Sequence, residues 1–228
     1  LNYEGAKPFH LVGTIPEYFK KVIKGSNRYR AVIKERHPVK DIANINRFSV
    51  KLDASPSKQQ IITALKSCHS KIIPRDDSDY KIRAILGKTQ FKASLLHWNR
   101  DVHSNACHRC GQKEDFKHAC YWCPEALSLY TSTFQALSLT PKITISNLVL
   151  GHQRPHYIGA HQMESEKLEI IDLISTMTLG HILRARSSGS ELSPPGLLIS
   201  IKRHLRTIMG KMPKYKNVII PILEFDPG

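Results

Sequence analysis

Cys107, Cys110, His118 and Cys123 carry the most distinctive chemistry in this sequence, at a spacing of C-x2-C-x7-H-x4-C. Thiolate and imidazole are donors that zinc favours, and three sulfurs with one nitrogen close a tetrahedral shell with no open position. A closed shell predicts a structural Zn2+ rather than a catalytic one. Such an ion folds a segment too small to fold alone, with typical binding free energies of about 10–16 kcal/mol at neutral pH. The x2 spacing lets two thiolates reach one ion from a tight turn, and Gly111 supplies the backbone freedom that such a turn needs. His118 and Cys123 are spaced to bind from one helical turn and its end. Cys120 lies between them, and His103 and His108 are close by. His118 and Cys123 complete the set without Cys120, which is read as a bystander.

Four of the five cysteines fall between positions 107 and 123. An odd count clustered in this way suits metal binding better than a disulfide framework. The start, Leu1-Asn-Tyr-Glu-Gly5, has no initiator Met and no signal-peptide pattern, so the chain reads as a piece of something longer or as an incomplete gene product. Without a secretory signal the expectation is a reducing, intracellular location, cytoplasmic and/or nuclear. No run of about 18 apolar residues is present, so no membrane span is expected.

The 228 residues carry a formal net charge of +15. Residues 1–100 hold 20 Lys/Arg against 8 Asp/Glu, and residues 101–228 hold 14 against 11. A surface this basic attracts phosphate polyanions, with counterion release driving salt-dependent binding. RNA and/or DNA is therefore the expected partner. The candidate contacts are Arg109, Lys113, Lys117 and Trp122 around the cysteines, and Lys202, Arg203 and Arg206 further on. Phe116, Tyr121 and Trp122 could stack on bases, although such aromatics more often pack over a small zinc core.

The elements that must position these residues are mainly helical. Pro16–Ile23 is a short helix candidate. Ser55-Pro56 predicts a helix through Ser67, with Ser55 as N-cap and Pro56 at the first position. Tyr80–Leu86 and Thr89–Trp98 follow, the second striped by Phe91, Leu95, Leu96 and Trp98. Asp76, Asp77 and Asp79 precede the first of these two helices, where acids complement the helix dipole. Pro124–Leu137 leads away from the cysteines, and Leu148–Gly159 reads as a loop. Glu164–Arg186 is apolar around most of its circumference, which predicts burial between other helices. Pro195–Met209 is a last helix with Lys202, Arg203, His204 and Arg206 on its polar face. Asn217–Leu223 reads as a short β-like run. The expected fold is a mainly α, helical domain with an embedded Cys3His zinc knuckle. Its expected parts are a basic connecting region over 1–75, a zinc-binding region over 76–140 and a helical tail over 141–228.

The stretch "KIRAILGKTQFKASLLHWNRDVHSNACHRCG" followed by "DFKHACYWCPEAL" resembles the zinc-binding region near the C-terminus of reverse transcriptases of non-LTR (long interspersed) retrotransposons. The shared features are a helix pair, a Leu-x-x-Trp approach, an opening Cys-x-x-Cys-Gly and a His-x4-Cys-Pro close. "NLVLG" and "SIKRHLRTIM" resemble the looser helical tail of that family. The resemblance implies ligand roles for Cys107, Cys110, His118 and Cys123, and a part in positioning template RNA or target DNA during target-primed reverse transcription. The x7 spacing separates the site from the retroviral nucleocapsid knuckle, where four residues stand between the second Cys and the His.

No aromatic-Ala-Asp-Asp motif of a polymerase occurs in the chain, so no catalytic residue is assigned and this segment is read as non-enzymatic. Two other classes compete with that reading. A restriction-like endonuclease would need a Pro-Asp followed at a distance by Asp/Glu and Lys, and Glu164, Glu166 and Lys167 lack the preceding Pro-Asp. A stand-alone zinc module that binds protein is the second.

Overall fold

Residues 170–180 are buried at every position but Asp172, so this stretch lies in the core. It belongs to a 27-residue helix, Gln162–Ser188, in the computed structural model, which describes residues 56–86, 89, 91–97, 104–141, 143–152 and 162–225. All of these belong to one compact unit, Ile45–Gly228. The helix expected at Pro16–Ile23 lies outside the described residues, as does Trp98. In chain order the α-helices are α1 Lys58–Cys68, α2 Arg75–Ile85, α3 Lys92–His97, α4 Pro124–Gln135, α5 Ile145–Leu150, α6 Gln162–Ser188, α7 Pro194–Lys211 and α8 Lys216–Glu224. A π-helical turn spans His118–Trp122 and a 3-10 turn spans Pro213–Tyr215. The described residues are mainly α, with one isolated antiparallel bridge, Ala106 to Lys113.

Helix α6 is apolar around most of its circumference because it serves two cores. Ile170, Leu173, Ile174, Met177 and Ile182 pack with α4, α7 and α8. Leu179 and Leu183 pack with α1, α2 and Phe91. A helix flanked on both sides carries apolar residues on more than one face, which is why its amphipathic pattern is weak, and its charges cluster toward its two ends. Helix α1 and helix α2, which begins at Arg75, share the second core.

Several local expectations change in the structure. The N-cap of α1 is Ser57, not Ser55. Its hydroxyl accepts from the Gln60 amide at 3.1 Å while the Gln60 side chain accepts from the Ser57 amide at 2.7 Å, a reciprocal capping box. Helix α2 begins five residues earlier than Tyr80, with Asp76 and Asp77 in its first turn. Asp77 then turns inward to meet Arg184 of α6 at 2.7 Å. Burial holds the Asp77 carboxyl above its ordinary range even against that guanidinium, so the pair fixes how α2 sits on α6 more than it stabilises the fold. Part of the expected Leu148–Gly159 loop is helical, because Thr144 caps the Asn147 amide and opens α5. Its last residue is Leu150, and Gly151 follows at φ 83°.

The β-like run Asn217–Leu223 is helix α8. Val218, Ile219 and Ile222 are buried at helical spacing, and the exposed Pro221 is tolerated inside it. Helical burial of that triplet against α6 and α7 decides the outcome over local β propensity.

Gly180 lets α2 approach α6. A Cβ at this position would lie 3.0 Å from Cγ and 3.2 Å from the backbone Cα of Asp77. Alanine favours helix over glycine by about 1 kcal/mol in an open position. At this one the clash outweighs that gain, so Gly180→Ala should destabilise the protein by about 1–3 kcal/mol. Urea unfolding of the variant checks this, and a higher midpoint would show that the two helices do not pack this closely.

Candidate metal centre

The cysteine segment folds as a tight hairpin followed by a helical turn. Cys107 N–H donates to the Gln112 carbonyl at 2.6 Å and Glu114 N–H to the Asn105 carbonyl at 2.7 Å. Gly111 N–H returns to the Cys107 carbonyl at 2.9 Å, closing the turn. Gly111 has φ 76° with open space around its missing side chain, so backbone conformation and not packing demands glycine there. This hairpin presents Cys107 and Cys110.

His118 and Cys123 come from the π-helical turn. The Cys123 amide donates to the His118 carbonyl at 2.8 Å, five residues back. In an α-helix, residues five apart diverge around the axis. The wider π-turn stacks i over i+5, which is what an x4 spacing needs for both side chains to face one point. The Asp115 carboxylate accepts from the His118 amide at 2.9 Å and caps the start of the turn. Pro124 stands at the first position of α4 and Cys123 at its N-cap, so the chain changes direction at the last ligand.

Ligand atoms of Cys107, Cys110, His118 and Cys123 all lie within 4.8 Å of one another. Cys110 Sγ is 3.1 Å from His118 Nε2 and 4.0 Å from Cys123 Sγ. Zinc–sulfur bonds of about 2.3 Å in a tetrahedron place sulfurs about 3.8 Å apart, so the donor set fits one ion of that size. Cys107, His118 and Cys123 are buried and Cys110 is partly buried. Burial pushes the Cys123 thiol up to about 11, and the neighbouring Cys107 and Cys110 add to it, against the opposing pull of the Ala126 and Glu125 amides. A cation at the centre supplies the charge that this crowded set of thiolates lacks. The structure therefore holds a Cys3His cluster able to bind a metal ion. Cys120 is buried in the second core and stands outside the ligand group.

Cys107, His108 and Glu114 also approach one another within 4.8 Å. Glu114 is already engaged. Its Oε1 accepts from Arg186 Nε at 2.8 Å and from the Lys92 amide at 3.0 Å, and lies 2.7 Å from Arg186 Nη2. Arg186 in turn lies over the Phe91 ring, and Phe91 meets Phe116 edge to face at 5.6 Å. Glu114 is thus the bolt between the hairpin, α3 and α6, a role that its sequence context does not announce.

The structure separates the expected surface residues. The Arg109 side chain is 5% exposed, with Nη2 donating to the Ile182 carbonyl of α6 at 3.5 Å and Nε 4.0 Å from Glu125. The guanidinium thus ties the end of the hairpin to α6 through a second acceptor site on a helical carbonyl. Lys113 is exposed, and Lys117 lies over the Trp122 ring at 5.5 Å. Of the three aromatics, Phe116 is buried and Tyr121 is partly buried, donating to the Ile143 carbonyl at 3.1 Å. Trp122 alone of the three stays open, at 56% exposure. Lys202, Arg203 and Arg206 lie on α7, with Arg203 and Arg206 exposed and Lys202 partly so.

No family model matches the chain, and no curated protein or solved structure is significantly similar to it.

Burial alone would raise the Glu114 carboxyl, but the Arg186 hydrogen bond and the Lys92 amide and charge pull it below the usual range. A depressed carboxylate contributes stability above its unfolded pKa and loses it as pH falls through the folded value. Arg186→Met should therefore cost about 3–5 kcal/mol near pH 7, because it strands a buried charge. In that variant only the Lys92 amide and charge still oppose burial, so the carboxyl rises from its wild-type position and the penalty should shrink as pH falls and Glu114 takes up a proton. Chemical unfolding of both proteins across pH tests the pair, and a constant difference would contradict it.

Proposed function

We propose that this chain is a non-catalytic, zinc-organised nucleic-acid-binding segment, of the kind its sequence resembles in the C-terminal region of non-LTR retrotransposon reverse transcriptases. In that role it would position template RNA or target DNA for the polymerase of the parent protein. The observation that carries the reading is the four-ligand cluster. Its donors are three thiols and one imidazole, gathered within one shell and enclosed by two cores, which favours a structural Zn2+ with no coordination position left for a substrate. The net charge of +15 supports a polyanionic partner.

A second reading has its own observation. Trp122 and Leu127 are both exposed at the margin of the knuckle, and an exposed aromatic beside an apolar side chain also suits a protein partner.

Purified protein should carry one zinc per chain by elemental analysis. Cys110→Ser should lose that ion and expose the 105–125 segment to proteolysis, and retention of stoichiometric zinc would contradict the ligand set. Affinity for RNA or DNA should fall steeply with salt, log K dropping in proportion to log[salt] with a slope of about 0.9 per duplex phosphate neutralised. Zinc-loaded protein that binds neither nucleic acid would favour the protein-partner reading.

A further inference from the structure

Charge on the described residues is segregated. The knuckle and its exit, residues 104–127, hold three Lys/Arg and three Asp/Glu. Of those bases Arg109 is internal and Lys117 lies against Trp122. The metal centre therefore offers almost no net positive surface. Residues 194–216, which include all of α7, hold six Lys/Arg and no Asp/Glu.

The packing of α7 determines where those charges point. Leu197, Ile201, Leu205 and Ile208 are buried, at spacings of four, four and three residues, and form its inner stripe. That register turns Arg203 and Arg206 outward, with Lys202 at the flank and Lys211 exposed beyond. His204 pins the helix from the side through a 2.7 Å contact between Nε2 and the Ile72 carbonyl. Among the described residues no acid pairs with Arg203 or Arg206, whereas Lys214 is taken up by Glu169 at 3.7 Å and by the Tyr215 ring.

Resting on the nucleic-acid reading above, we infer that the outer face of α7, and not the zinc knuckle, makes the phosphate-backbone contact of the described residues. Arg203 and Arg206 are one turn apart, about 5–6 Å at Cβ, and reach neighbouring phosphates of one strand. Their planar forks bind phosphate oxygens in pairs. The face has one exposed large apolar side chain, Ile199, its other large apolar residues being turned to the core. An amphipathic helix that enters a lipid surface needs a free apolar face, so nucleic acid fits this helix better than an anionic membrane does. The knuckle then acts as the clip that holds its own segment on α6, while α7 supplies affinity without base specificity.

The test compares two charge-reversed pairs of the zinc-loaded full chain, Arg203→Glu with Arg206→Glu and Lys113→Glu with Lys117→Glu. The probes are a single-stranded RNA and a DNA duplex of about 20 nucleotides or base pairs, titrated across salt, with anionic phospholipid vesicles as the third probe. The α7 pair should lose about tenfold or more in affinity, and its salt slope should fall by about two or more. The knuckle pair should stay within about twofold of wild type on the same charge argument. Arg203→Lys with Arg206→Lys should keep the slope, and zinc content should match wild type in every variant. An unchanged slope in the α7 pair, or a larger loss in the knuckle pair, overturns this assignment and leaves nucleic-acid binding standing. Absence of binding by the wild type removes the underlying reading and this inference with it. A loss confined to anionic lipid vesicles reassigns the face to a membrane and also overturns the proposal.

Discussion

Three thiols and an imidazole converge on one point between two hydrophobic cores, and most of the local architecture follows from that convergence. Thiolates this close repel one another, and burial raises the cost of ionising Cys123. A bound cation reverses both effects, since it stabilises thiolate over thiol and converts repulsion into attraction to a shared centre. The hairpin turn at Gly111, the π-turn from His118 to Trp122 and the change of direction at Pro124 are the backbone solutions that bring four donors to that point. A metal ion held by all four donors would tie the hairpin to the π-turn.

The cysteine hairpin also has to be oriented, and helix α6 does this. Arg186 reaches the hairpin through Glu114, the Ile182 carbonyl accepts from Arg109, and Arg184 meets Asp77 on α2. Three side-chain contacts within two turns of one helix thus place the knuckle and α2 on a common frame. Buried ion pairs of this kind add little net stability, yet each is expensive to break from one side. They therefore select one docking geometry over others that the apolar surfaces alone would tolerate. Gly180 adds the steric counterpart, an absence of side chain where α2 crosses.

Much of this was legible in the sequence, and the division is physical. The ligand spacing, the helix around Ile170–Leu183 that is apolar over most of its circumference and the Pro124 helix start are local signals, and each appears where its pattern placed it. Ser57 was missed as a cap although the Ser-x-x-Gln box was readable, because Ser55-Pro56 offered an equally local alternative. Helix α8 was misread because Val, Ile and Pro favour strand and turn locally, and only burial against α6 and α7 settles the matter. Arg109 and Glu114 could not be sorted from surface charge by sequence, since their partners lie 73 and 72 residues away. A long-range ion pair leaves no periodicity to read.

The central claim is that one Zn2+ sits in a Cys3His shell made by Cys107, Cys110, His118 and Cys123. X-ray absorption at the zinc edge of the loaded protein tests it most directly. The account predicts three sulfur scatterers at about 2.3 Å and one nitrogen at about 2.0–2.1 Å. A fourth sulfur in place of the nitrogen, which would bring Cys120 into the shell, would contradict it, and so would an oxygen-rich shell of higher coordination.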